Sequence, residues 1–318
     1  MDTVPYKLLV VDTENSTVLL TDGESGEIIR EWPFPGEYSP VDIQLTADSA
    51  IAYIPTSNNQ GRGTLFSISL PAGQLMQLPL DLPPIERFAA GPQLGQAVVA
   101  TRDGALFLLD IEKRSLTLLG RSGEPTACVG LATDDNAVYT VWQHDQNGVL
   151  AIFSPDGQLQ DERFLPGLPT NLSQSERYLY IPFTTASAGE EGMILLPKQI
   201  SEAALRAISL HHCPSEASFR IYPCQVAITP DESTAYVVHE DSANVSVIDI
   251  ASATVSGYIP VGRSLSCLTL LPDSQFAVAG SYMFADLSLI DLVNRRLLSL
   301  TDGERELFGQ VAVLHSGR

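Results

Sequence analysis

Along this chain, short runs of alternating apolar and polar residues recur between turn residues at a near-constant interval. The clearest run is Cys224-Gln-Val-Ala-Ile-Thr-Pro-Asp-Glu-Ser-Thr-Ala-Tyr-Val-Val, followed by Asn244-Val-Ser-Val-Ile-Asp-Ile. The same order returns from Val41 (Val-Asp-Ile-Gln-Leu-Thr-Ala-Asp) and from Ser266 (Ser-Cys-Leu-Thr-Leu-Leu-Pro-Asp). Taking one central residue per copy, Tyr53, Val98, Tyr139, Tyr180, Tyr236 and Val278, the steps are 45, 41, 41, 56 and 42 residues. Strand-length runs bounded by Gly, Pro, Asn and Asp at such a period are the pattern of a propeller, in which each repeat is one small antiparallel sheet.

A second register agrees with the first. Apolar, β-branched-rich runs at 17–22, 63–70, 104–111, 148–155, 192–199, 244–251 and 286–293 read as the third strand of seven copies. Asp103-Gly104 and Asn147-Gly148 precede two of them and suit tight hairpins. The prediction is an all-β fold: a seven-bladed β-propeller of four-stranded blades, forming a single domain over residues 1–318. The first copy begins at Lys7 with what reads as a second strand. The missing first strand has a counterpart at the far end, because Gly309-Gln-Val-Ala-Val-Leu matches Cys224-Gln-Val-Ala-Ile-Thr. The C-terminal strand is therefore expected to complete blade 1 and close the ring, which removes open sheet edges. The 56-residue step predicts an insertion in blade 5, at about residues 184–222. Insertions on one face of a repeat protein are often its binding elements, and equally often plain surface loops.

Charge narrows the partners. The formal net charge is −20, with 38 acidic against 18 basic residues, of which only Lys7, Lys113 and Lys198 are lysines. The acidic residues are scattered in pairs such as Asp134-Asp135, Glu190-Glu191 and Glu240-Asp241, as on a solvated folded surface. No basic stripe is available for a phosphate backbone, and an acidic surface is repelled by anionic lipid, so neither nucleic acid nor membrane is expected as a partner. The beginning of the chain has no basic and apolar leader pattern, and no apolar run is long enough to span a bilayer; the expected location is cytoplasmic. Four cysteines, Cys128, Cys213, Cys224 and Cys267, show no metal-type spacing and are expected to be reduced and buried. A Cys213–Cys224 pairing needs an oxidising compartment.

The residues just before the repeated tyrosines then place candidate chemistry. Counting back along each copy gives equivalent polar positions at the start of the innermost strands: Asp42, Arg87, Cys128, Asn171, Gln225, Cys267 and Gln310. A set of donors and acceptors at a concave mouth is a ligand site or, equally, a set of structural hydrogen bonds. Turns that reach the same rim add Arg102, Tyr282, Tyr222 and Arg220, and also His144, His239 and Glu240. The last three are the candidate catalytic acid–base groups; Asp42, Arg87, Arg102, Asn171, Arg220, Tyr222, Gln225, Tyr282 and Gln310 are the candidate ligand-binding groups. Two histidines with no third ligand do not make a metal centre, so no metal and no cofactor are expected. The chain has no Gly-x-Ser-x-Gly elbow, no dinucleotide loop and no haem-attachment motif.

The residues Thr229-Pro-Asp, Ala235-Tyr-Val and Asn244-x-Ser-Val-Ile-Asp together resemble the YVTN-type seven-bladed propellers, which are related to the β-chain of quinohemoprotein amine dehydrogenases and more distantly to lactonase propellers. The match is close over Gln225–Val261, fair from Asp42 and Cys267, and faint elsewhere. The resemblance implies the fold much more than an activity. Three functions fit it: a module that binds a small molecule or a protein partner, a lactonase- or lyase-type enzyme at the channel mouth, or an inactive subunit of a redox complex.

Overall fold

A computed structural model of the chain describes residues 6–23, 25–46, 48–93, 95–121, 127–187, 189–199, 205–211, 221–281, 287–300 and 310–315. They form seven antiparallel sheets, the blades of a seven-bladed β-propeller. Blade 1 holds Tyr6–Asp12, Thr17–Asp22 and Ile28–Pro33; blade 2 holds Tyr38–Pro40, Gln44–Leu45, Ile51–Asn58, Gly63–Ser69 and Gln74–Leu82. Blade 3 is Ile85–Ala90, Gln96–Thr101, Ala105–Asp110 and Ser115–Arg121, and blade 4 is Cys128–Thr133, Val138–His144, Asn147–Phe153 and Leu159–Leu165. Blade 5 comprises Leu168–Pro169, Ser173–Gln174, Tyr178–Thr184, Gly192–Pro197 and Arg206–Ser209. Blade 6 is Pro223–Ile228, Thr234–His239, Asn244–Asp249 and Thr254–Pro260; blade 7 is Cys267–Leu270, Phe276–Gly280, Ser288–Asp291 and Arg296–Leu300.

The C-terminal strand Val311–His315 pairs with Tyr6–Val10, Val311 opposite Val10 and His315 opposite Tyr6, and so supplies the innermost strand of blade 1. The strands fall into two compact units, residues 1–142, 150–163 and 307–318 in one, 143–149 and 164–306 in the other.

Local chemistry explains why the repeated phrase makes blades. Four of the seven third strands end in Asp, and the carboxylates of Asp22, Asp110, Asp249 and Asp291 accept the backbone N–H three residues on, at 2.7–2.9 Å. Each turn then closes through a residue at positive φ: Gly26, Arg114, Ala253 and Arg295. The Pro-Asp phrase sets the turn before the second strand. Asp231 and Asp273 accept the N–H groups of Ser233 and Gln275, and Asp48 does the same for Ala50.

The core lies between blades, not within them, since each sheet is one layer thick. Phe34, Ile54, Phe66, Leu9 and Val11 join blades 1 and 2; Leu65, Phe88 and Val99 join blades 2 and 3. In the second unit, Ile208, Val226, Val237 and Ile248 join blades 5 and 6, and Val238, Ile259, Leu268 and Ile290 join blades 6 and 7.

Two innermost strands are broken, and the break has a cause in the neighbouring strand. Pro55 and Pro182 accept the N–H of Val41 and Thr170 but have no N–H to return. At the gaps, Asp42 Oδ1 and Asn171 Oδ1 accept the N–H of the following residue, Ile43 and Leu172, each at 2.7 Å.

Candidate functional site

The residues that open the innermost strands work mainly as links from blade to blade. In blade 3, Arg87 Nε donates to the Val129 carbonyl of blade 4 at 2.8 Å, and Glu86 Oε2 accepts the Cys128 N–H at 2.9 Å. In blade 5, Asn171 Nδ2 donates to the Cys224 carbonyl of blade 6 at 2.9 Å, and the Ser173 hydroxyl donates to the Val226 carbonyl at 2.7 Å. Gln225 Oε1 in turn accepts the Leu268 N–H of blade 7 at 2.7 Å. The Gln310 carbonyl accepts the Val11 N–H at 2.9 Å and seats the closing strand. Side chains one blade apart can reach the neighbour's backbone here because the innermost strands lie closest together.

Asp42 differs. Its side chain is largely buried, and burial raises its pKa against the opposing pull of the Ile43 N–H, the Arg87 charge and Gln44. Cys128 is sealed, and burial pushes its thiol up to about 12, which makes it an inert packing residue. Cys224 and Cys267 are buried too, and Cys213 lies outside the described residues. Arg102 is exposed on its turn, 3.8 Å from Glu86. His144 stands on the turn of blade 4 with Nδ1 3.7 Å from Asp145. Arg220 and Tyr282 lie outside the described residues.

The rim of blades 5 and 6 gathers more chemistry. His239 ends the second strand of blade 6 at 2 % exposure. Its Nε2 is 2.8 Å from the Ser246 hydroxyl, and the Ile221 backbone nearby favours the charged ring. Burial first, and then the His211 imidazole, lower its pKa to about 3. His239 is therefore a neutral ring at any ordinary pH. His211 Nε2 pairs with Glu191 Oε2, and Glu191 also accepts the Gly189 N–H at 2.8 Å. Glu191 is completely buried, yet its Oε1 and the Nδ1 of His211 have no hydrogen-bond partner among the described residues. Glu191 and His211 did not emerge as candidates from the sequence. The acidic pair Glu190-Glu191 and the pair His211-His212 were visible, but their meeting depends on two loops twenty residues apart.

Next in the chain to His239, Glu240 donates its N–H to the Tyr222 carbonyl at 3.0 Å. Tyr222 has φ 33° and 36 % exposure, an uncommon backbone conformation for a bulky residue. Burial, then the Asp241 charge, raise the pKa of Glu240. Burial and the Glu240 charge raise that of the Tyr222 phenol, so its O–H remains a donor. Neither Glu240 nor Asp241 has an ion-pair partner among the described residues. Those residues contain no cluster of three metal-ligating side chains and no helix long and apolar enough to cross a membrane.

No protein-family model and no curated protein matches the chain. Solved structures do. Hydrazine synthase of Kuenenia stuttgartiensis is 13% identical with a TM-score of 0.75, covering 90% of this chain and 92% of that one. A functionally unknown protein from Desulfotomaculum acetoxidans DSM 771 is 16% identical, TM-score 0.74, over 97% of this chain and 99% of that one. A Bacteroides uniformis ATCC 8492 protein provisionally described as a 6-phosphogluconolactonase is 13% identical, TM-score 0.71, over 98% and 100%. Their names span unlike roles, and at these identities the likeness carries the fold alone.

Proposed function

We propose that the protein is a binding propeller whose working surface is the rim of blades 5 and 6, open to a small molecule or a protein partner. One observation carries this reading: Tyr222, 36 % exposed, is held at φ 33°, and its carbonyl accepts the N–H of Glu240, a partly buried residue whose carboxylate meets no cation among the described residues. Strain of this kind costs on the order of 1–3 kcal/mol and persists where the surroundings over-determine it, as they do at ligand sites. Asn171 and Gln225 support this surface by locking blades 5, 6 and 7 together through their backbone contacts. An enzyme reading for His239 is less well supported, because a neutral, sealed imidazole bonded to a sealed serine has no route to substrate.

The test is a thermal-shift panel of small molecules and short peptides of each charge class, run on the wild type and on Tyr222→Gly. Glycine adopts positive φ freely, so the variant should melt within about 4 °C of the wild type. At least one compound should raise the wild-type Tm and leave the variant's unmoved. Identical responses in the two proteins, or no response in the wild type, would reject the reading.

A further inference from the structure

Blades 2 and 5 carry the same interruption, a proline beside a broken innermost strand, and they fill it with different residues. Asp42 and Asn171 do one thing alike: each Oδ1 accepts the N–H of the residue that follows, at 2.7 Å. Asn171 also uses its amide nitrogen, which donates to the Cys224 carbonyl of blade 6. The equivalent carbonyl in blade 3 is that of Glu86, and Arg87 Nη1 already donates to it at 2.7 Å. Asp42 makes no hydrogen bond to blade 3 among the described residues, and a carboxylate has no N–H to offer a carbonyl. Since an amide serves the fold at this position in blade 5, the acid in blade 2 brings a charge that the fold does not require.

Arg87 brings the opposite charge, and no carboxylate touches it. Its Nε and Nη1 are spent on the backbone carbonyls of Val129 and Glu86. Carbonyls satisfy donors but leave the charge in place. The Glu86 carboxylate accepts the Cys128 N–H and lies 3.8 Å from Arg102 instead. Arg87 and Asp42 occupy equivalent positions of adjacent blades, and the Arg87 charge is felt at Asp42, yet among the described residues the two form no ion pair. Both residues are part-buried and neither is sealed. Burial raises the Asp42 pKa, the mark of a carboxylate without a cation in contact. Each group is short of a close partner of opposite sign, and a part-buried charge is costly in that state.

We propose that this place takes a small zwitterion, its ammonium on Asp42 and its carboxylate on Arg87, and that the ligands are free α-amino acids. An α-amino acid carries both groups on one carbon. Its ammonium supplies donors to the carboxylate, and its carboxylate accepts from the guanidinium N–H groups not engaged by Val129 and Glu86. Being neutral overall, it meets no repulsion from the formal net charge of −20, which disfavours a simple anion at the same arginine. The site is independent of Tyr222, which belongs to the other compact unit.

A thermal-shift panel of the standard free amino acids on the wild-type protein, with titration calorimetry on the strongest, tests this. The N-acetyl and the carboxamide derivatives of that amino acid each lack one charge and should bind at least about tenfold more weakly. These comparisons use the wild type, so they do not depend on the folding of a variant. Asp42→Asn should melt within about 2 °C of the wild type, because asparagine already holds the equivalent place in blade 5, and should weaken binding at least about tenfold. Tyr222→Gly should bind as the wild type does. The assignment is overturned if no amino acid binds, if either derivative binds as well as its parent, or if Asp42→Asn keeps the affinity. Binding that survives Asp42→Asn and is lost in Tyr222→Gly would belong to the blade 5–6 surface, and so would overturn this assignment while supporting that one.

Discussion

A histidine at 2 % exposure stays neutral because charging it would strip an imidazolium of water with no carboxylate against it. The consequence is a pH dependence whose sign is fixed. His239 has a folded-state pKa of about 3 against 6.5 when unfolded. Above 6.5 the ring is neutral in both states and its contribution is complete. As pH falls below 6.5 the unfolded chain takes up a proton that the folded one refuses, so stability falls by ~1.4 kcal/mol per pH unit until the folded pKa is reached. Between pH 6.5 and 5 the wild type should lose about 2 kcal/mol more than His239→Asn in urea unfolding. Equal losses would remove His239 from this role. Asp42 and Glu240, whose pKa values burial raises, act in the opposite sense at lower pH. The type and position of His239 were legible from its place in the repeat. Its burial was not, because it depends on residues far along the chain, such as His211, that come near it.

Within each element, the alternation of apolar and polar residues encodes a strand, and the strand ends are encoded by Asp, Asn and Gly at the turns. The third strands accordingly lie within about two residues of their expected limits. The innermost strands were harder to read. Pro55 and Pro182 are plain in the chain, but a proline in one strand interrupts another, and only the pairing reveals which. The same holds for side chains that leave their own blade. Gln225 reads as a polar residue at a strand start; its Oε1 holds the Leu268 N–H of the next blade. Replacing it with leucine strands that N–H and should cost about 1–3 kcal/mol, measured by chemical denaturation. A change within about 0.5 kcal/mol would mean that the link is dispensable.

For the whole molecule, the exchange between the chain ends is the decisive contact. The Val311–His315 strand buries Val311, Val313 and Leu314 and covers the edge of Tyr6–Asp12. Burying those three side chains is worth several kcal/mol at ~1.5–3 kcal/mol each, and the ladder bonds add to it. Truncation after Phe308 should therefore lower Tm by roughly 10 °C or more and favour association through the opened edge. An unchanged Tm in scanning calorimetry would contradict the closure. The periodic sequence alone determined the blade count, the strand order and this closure, because each of these follows from local turn chemistry and a repeated apolar phase. It also located the equivalent polar positions. Only the tertiary structure decided what those positions do: Arg87, Asn171 and Gln225 reach into neighbouring blades, while Glu191 pairs with His211 and His239 is sealed against Ser246. Such contacts join residues tens of positions apart, and no local pattern in the chain records them.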